Sequence, residues 1–215
     1  VVTEEQTAGR GRRGRSWTSE KNSGIFASLI LRPQLPARRI PMLTLAVGIA
    51  LVEALHTCGL SEAWLKWPND IWVGNRKLAG ILSELSGELD QVDFVVIGMG
   101  VNTHQPEFPA ELAATATSFY RETGQRPNRA KLLAYVLQEL ERVLPLLDLA
   151  DPAPLLAAWQ KHDRLLGQTV DVVETSDQYT GTALGLTPTG ALRIGLANGS
   201  EKVVLAGDVS IRPKP

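Results

Sequence analysis

Four arginines spaced by three glycines, Gly9-Arg10-Gly11-Arg12-Arg13-Gly14-Arg15, make up the chemically most unusual segment of this chain. Guanidinium groups form forked, charge-assisted bonds to carboxylates and phosphates, and glycine lets the backbone fold closely over a ligand. Without a ligand the arginines repel one another, which predicts a mobile cationic flap that orders when an anion arrives. Trp17, just beyond, is placed to stack on a base or ring once the flap closes. The segment also spells G-x-G-x-x-G. A dinucleotide fold, however, needs a helix directly after the glycines and an acidic residue about 20 positions further on. Residues 16–24 are short, polar and interrupted by glycine, and Gln34 stands near the acidic position. On charge alone, a solvated basic loop and a nucleic-acid-binding patch stay open.

A second cluster, Lys66-Trp67-Pro68-Asn69-Asp70, sets a lysine, an amide and a carboxylate around one turn, with Lys77 and Gly80 following. Two ammonium groups suit chemistry between anions, because they neutralise both an attacking carboxylate and the phosphate it attacks. Asp70 would orient a lysine or hold Mg²⁺. The plainer reading is a Lys66–Asp70 surface ion pair with Trp67 in the core. Gly98-Met99-Gly100-Val101-Asn102 again admits close backbone approach, and the Asn102 amide suits a purine edge; a tight turn is an equal reading. His56, His104 and His162 are scattered without metal-ligand spacing, and no Gly-x-Ser-x-Gly elbow occurs. Cys58 belongs to a helix end, so covalent catalysis has no visible nucleophile.

These residues need elements to hold them. Residues 1–6 read as a strand entering the Gly/Arg loop, and 23–31 as another, closed by Arg32-Pro33. Residues 39–58 form an apolar helix that Gly59 ends. Its run 40–55 is short for a membrane span, contains Glu53 and is followed by His56, so a helix covered by protein is expected. Strands follow at 64–67, 71–73 and 77–85, then a short one at 94–97 closed by Gly98. Helices are expected at 128–147, ended or kinked by Pro145, and at 155–165. After Gly167 come short β runs at 170–173, 178–186, 191–195, 202–205 and 209–211, separated by Gly, Asn, Pro and Ser. They predict a small all-β barrel. The chain thus reads as a larger part, 1–166, and a small one, 167–215. A net charge of −1 over 215 residues leaves no overall basic footprint of the kind nucleic-acid binders carry. The single cysteine forms no intrachain disulfide, which favours a reducing, cytoplasmic setting.

Taken together, Gln6 with Gly9 through Trp17, Lys66 through Asp70, Lys77-Leu78-Ala79-Gly80-Ile81-Leu82 and Gly98 through Asn102 resemble the biotin–protein ligase family, in the family's order and over nearly the whole chain. The resemblance implies an α+β fold: a mixed β-sheet catalytic domain with packed helices, class II synthetase-like, followed by an SH3-like barrel. It implies a biotin–[acetyl-CoA-carboxylase] ligase, forming biotinyl-5′-AMP from biotin and Mg-ATP and passing biotin to a lysine of a biotin carboxyl carrier protein. No bound prosthetic group is expected. By family position, Lys77, Arg12, Lys66 and Asp70 are catalytic, with Asp70 also the candidate Mg²⁺ ligand. Gln6, Gly9, Arg10, Gly11, Gly80, Leu82 and Gly98 join Arg12 and Lys77 around biotin or its adenylate. Arg15, Trp17, Asn69, Gly100 and Asn102 serve the nucleotide. The family carries a Ser-Thr-Asn segment upstream of Gln6 that meets the biotin rings, and the start at Val1 suggests a truncated N-terminus. A homodimer is implied, and DNA is a partner only where an N-terminal winged helix-turn-helix precedes the catalytic part. A lipoate-type acyl-adenylate ligase is the near alternative, and a nucleic-acid-binding module using the Arg/Gly loop the distant one.

Overall fold

An eighteen-residue helix with almost no polar face must be covered on nearly every side, and α1 (Ile40–Thr57) organises the fold on that account. Met42, Leu43, Leu45, Ala46, Val47, Leu51 and Leu55 are all buried. Pro41 sits in its first turn, where a missing N–H costs no helical bond. Gly59, at φ +98°, turns the chain away after the last turn, a conformation that favours glycine. The helix is long and apolar enough to cross a membrane, yet 72% of it is buried within the protein, as the reading of a covered helix requires. The structure, a computed structural model, describes residues 1–33, 35–87, 92–174, 178–205 and 210–213.

One side of α1 packs against a six-stranded sheet of β1 (Val2–Thr3), β2 (Gly24–Leu31), β3 (Ala63–Lys66), β4 (Asp70–Val73), β5 (Arg76–Gly87) and β6 (Val92–Asn102). Their order is β1-β2-β6-β5-β4-β3. Every pair of neighbours is antiparallel, and among the described residues parallel pairing is confined to isolated bridges, Leu65 with Asp163 and Lys77 with Ala116. Alternation along β6 defines the two faces of the sheet. Val95, Ile97, Met99 and Val101 are buried on the helix side, while Val96, Gly98 and Gly100 face away. The other side of α1 is closed by α3 (Arg129–Val143), a 3-10 turn at Leu144–Leu147 and α4 (Ala153–Gln160). Helix α3 presents Leu132, Val136, Leu140 and Val143 as one buried stripe and is N-capped by Asn128, whose Oδ1 accepts from the Lys131 N–H at 3.0 Å.

The second sheet comprises β7 (Thr169–Val173), β8 (Gln178–Leu186), β9 (Leu192–Gly195), β10 (Glu201–Val204) and β11 (Ser210–Pro213), in the order β10-β9-β8-β7-β11. Among the described residues its end strands β10 and β11 do not pair, so the expected barrel is here an open antiparallel sheet. Its buried Val170, Val172, Leu192, Ile194 and Val204 belong to the same apolar cluster as α1.

Local reading and structure part in particular places. The strand expected at 1–6 keeps only Val2–Thr3, because the chain leaves the sheet edge to start the Gly/Arg loop. Strand β6 does not stop at Gly98 but runs on to Asn102, paired on both sides by β2 and β5. The helix α2 (Phe119–Thr123) was not anticipated; Ser118 caps it, and Gly124 at φ +72° ends it. The helix expected at 128–147 becomes α3 plus the 3-10 turn in which Pro145 sits, and that expected at 155–165 runs Ala153–Gln160. Gln34 and residue 209 lie outside the described residues.

Candidate active site

The sheet face turned away from α1 carries a cleft of about 680 Å³ that takes in the Gly/Arg loop, the turn after β3, and the outward residues of β5 and β6. A volume of this size suits a small-molecule site. It adjoins a smaller cavity of about 270 Å³, and Ser16, Trp17, Lys77, Leu112 and Thr115 line both.

The Gly/Arg loop is folded on itself rather than splayed by its charges. Gly11 N–H donates to Arg15 O (2.7 Å), Trp17 N–H to Gly9 O (2.9 Å), and residues 12–14 form a 3-10 turn. Gly9 lies beneath the loop and does not line the cleft; a Cβ there would fall 2.4 Å from the Trp17 carbonyl oxygen, so no side chain fits. The loop's entry is fixed by Ser19, whose Oγ accepts from the Gln6 N–H at 2.8 Å and donates to Gln6 O at 3.1 Å. Arg10 reaches Glu84 across the cleft mouth at 3.1 Å. Arg15 lines the cleft from the exposed side.

Arg12 Nη1 donates to Asn69 Oδ1 at 2.9 Å. Asn69 in turn donates from Nδ2 to Ile81 O (2.7 Å), while its own carbonyl accepts from Ile81 N–H (2.9 Å). One asparagine therefore ties the Arg loop, the turn after β3 and strand β5 together. Next to it, Asp70 Oδ1 forms an ion pair with Lys77 Nζ at 2.7 Å. Asp70 is thus paired with Lys77, rather than exposed beside Lys66. Lys66, opposite Asp70 in the hairpin register, is buried with its ammonium 3.6 Å from the centre of the Trp72 ring. The Lys77 backbone is clamped as well, donating to Thr115 O (2.8 Å) and accepting from Thr117 N–H (2.9 Å).

Between the two cavities lies Trp17. Gly80 and Gly100 are cross-strand partners in β5 and β6, and their missing side chains leave a shallow slot that the indole fills. A Cβ at Gly100 would come 2.5 Å from Trp17 Cε2, and one at Gly80 3.1 Å from Cζ3. Lys77 Nζ stands 5.5 Å from the same ring. The indole N–H has no hydrogen-bond partner among the described residues. Leu82 and Gly98, paired in register, continue this face as the apolar end of the cleft.

Asn102 lines only the smaller cavity and is buried. Its amide is turned inward, with Nδ2 donating to Thr117 O (3.1 Å) and Oδ1 accepting from Gln105 Nε2 (3.2 Å). Sequence reasoning missed Gln105, Glu84, Trp72 and the clamp at 115–117. Glu84 was within reach of it, since it follows Gly80 and Leu82 at the two-residue period of β5. The others meet the site only through tertiary folding. Among the described residues no group of three or more His, Cys, Asp or Glu side chains is gathered for a metal.

Residues 1–102 match the Biotin/lipoate A/B protein ligase family, and residues 165–212 the Biotin protein ligase C terminal domain. The chain is 34% identical to the Bifunctional ligase/repressor BirA of Bacillus spizizenii over 96% of its own length, spanning 64% of that relative. It is also 34% identical to the Biotin--[acetyl-CoA-carboxylase] ligase of Mycobacterium tuberculosis, covering 97% of this chain and 77% of that one. Its structure resembles a biotin protein ligase from Aquifex aeolicus in complex with biotin and ATP, with a TM-score of 0.86, 31% identity, and coverage of 99% and 88% of the two chains. With its Gly/Arg loop, its Lys66–Asp70 turn and both sheets falling inside these matches, the chain belongs to the biotin protein ligase family.

Proposed function

We propose that this chain carries the catalytic site of a biotin–protein ligase, which joins biotin and Mg-ATP as biotinyl-5′-AMP and then passes biotin to a carrier-protein lysine. The observation that carries this reading is the pair of contacts Arg12–Asn69 and Lys77–Asp70, set on adjacent residues of one turn in the larger cleft, with Lys77 also lining the smaller cavity. A guanidinium and an ammonium are thereby pre-placed where a carboxylate and a phosphate must approach each other. Such preorganised charge is the main resource of a reaction without an enzyme nucleophile.

In the first step a biotin carboxylate oxygen attacks the α-phosphorus of ATP, a P–O bond forms, and pyrophosphate leaves. Lys77 and Arg12 offset the repulsion between the two anions, and Asp70 orients the Lys77 ammonium. In the second step the neutral ε-amine of the carrier lysine attacks the acyl carbon. The C–O bond to AMP breaks, and the amine loses its proton as the amide forms. The Arg loop over the cleft shields the mixed anhydride from water. The apolar end near Leu82 and Gly98 suits the biotin body, together with Gln6 and Arg10, and the smaller cavity with Trp17 suits the base. Asp70 would hold a magnesium ion that arrives with ATP, and the ion would neutralise phosphate charge there; no group of three or more His, Cys, Asp or Glu side chains among the described residues forms an all-protein cage.

A biotin carboxyl carrier protein domain is the second substrate. Residues 1–166 form the catalytic part and 167–215 the appended sheet. The single Cys58 supports a reducing, cytoplasmic setting. A homodimer is expected from the family and is checked by sedimentation. The test of the activity is biotin-dependent exchange of labelled pyrophosphate into ATP by the full-length protein, which Lys77→Ala should lower by about tenfold or more. Absence of biotin-dependent exchange in the unaltered protein overturns the reading. A larger thermal shift with lipoate and ATP than with biotin and ATP would reassign the acid.

A further inference from the structure

A hydrogen bond to a backbone carbonyl, that of Gly190, joins the second sheet to the catalytic turn. Trp67 is buried, and its indole N–H donates to Gly190 O at 2.9 Å across 123 residues of sequence. Gly190 tips the turn between β8 and β9, held by its own N–H to Thr187 O (2.9 Å) and by Thr187 N–H to Ala191 O (2.8 Å). Its φ of +81° favours glycine, and so does the space around it. A Cβ would lie 2.8 Å from Met42 Sδ and 2.9 Å from Leu45 Cδ1 on α1. The turn is wedged between α1 and Trp67 so that only bare backbone fits.

On the far side of Trp67 the chain enters Pro68, Asn69 and Asp70, which hold Arg12, Ile81 and Lys77. A hollow of about 170 Å³, bounded by Arg12, Thr44, Asn69, Ser83 and Gly190, lies behind this turn. Trp67 and Gly190 both line this hollow, and their hydrogen bond props the turn there.

We infer that Gly190 is a positioning residue for adenylate formation: its carbonyl, through Trp67, sets the turn that aims Arg12 and Lys77. This rests on the ligase reading above and names a role for the second sheet within it. Gly190 touches no substrate; it acts through Trp67 and Asn69.

Two variants of the full-length protein test this. Trp67→Phe keeps an aromatic ring and deletes the donor, and Gly190→Ala pushes the turn off α1. Each should lower kcat for biotin-dependent pyrophosphate exchange by about tenfold or more, since displacements of about an ångström at a positioning group cost that much. KM for biotin should stay within about twofold. The double variant should be no worse than the weaker single one, because both break one contact. Hydrogen exchange supplies a readout independent of activity: in Trp67→Phe the Ile81 and Gly11 amides, which donate to Asn69 and Arg15, should exchange faster. A folded Trp67→Phe protein with kcat within about twofold of the unaltered one overturns the inference, as do losses that multiply in the double variant. Should Gly190→Ala not fold, Trp67→Phe decides alone. Should the unaltered protein show no biotin-dependent exchange, the ligase reading fails. Hydrogen exchange then decides the coupling: faster exchange at Ile81 sustains it, and exchange confined to residues 187–191 ends it.

Discussion

Gly100 shows how much a missing side chain accomplishes here. It sits near the end of β6 and outside the positive-φ region, so alanine would suit its backbone, and the nearest obstacle is the Trp17 indole, 2.5 Å from where the Cβ would stand. Gly100→Ala should therefore lift Trp17 from its slot without unfolding the sheet. The expected result is a KM for ATP raised by about tenfold and a melting temperature lowered by no more than about 4 °C, equivalent to about 1 kcal/mol. Steady-state exchange assays and thermal melts check both. The Gly/Arg spacing, Lys66, Asn69, Asp70 and Lys77 were legible in the sequence because their residue types are costly to keep without a purpose. Their couplings were not. That Arg12 rests on Asn69, or that Asn102 spends its amide on Thr117 and Gln105, depends on contacts between residues far apart in the chain.

At the scale of elements, α1, β2 and β5 read well because each is a long apolar run bounded by glycine, proline or turn residues. Strand β6 was cut short because Gly98 looks like punctuation, whereas it belongs to a strand whose glycines open one face for the cleft and for Trp17. Helix α2 has only five residues, too few to show a period. Alternation within five short strands could not tell a closed barrel from an open sheet, since closure depends on which edges meet. The junction after α4 offers a test of its own. Burial pushes the Asp163 carboxyl up from its ordinary 3.8, against the opposing pull of the Leu165 N–H, which it accepts at 2.7 Å. A carboxyl raised in the folded state binds protons on folding. Its share of stability is fullest below the ordinary value and is lost as pH rises through the folded one. Asp163→Asn keeps an oxygen for Leu165 and cannot ionise. Its urea midpoint should exceed that of the unaltered protein at about pH 7, with the gap closing toward about pH 4; a gap independent of pH would refute this account.

Across the whole molecule, one buried cluster runs from Ile25 in β2 through α1 to Val204 in β10. A shared core of this kind predicts one cooperative unfolding transition, with the second sheet melting together with the first. Far-UV circular dichroism and tryptophan fluorescence should give the same urea midpoint, and two separated midpoints would show the sheets to be independent. Helix α1 also has a life before that core exists. It is complete at residue 57, whereas the first sheet covers only one side of it, and the rest of its cover comes later, from α3 and α4 and last from the turn at Gly190. At about 5–20 residues per second of synthesis, the 130 residues between Thr57 and Thr187 take on the order of ten seconds to emerge. For that interval the nascent chain displays an apolar helix as long as a membrane span, with its last covering piece still in the ribosome. Chains arrested near residue 125 should be bound by chaperones that hold apolar surface, and the finished chain should not.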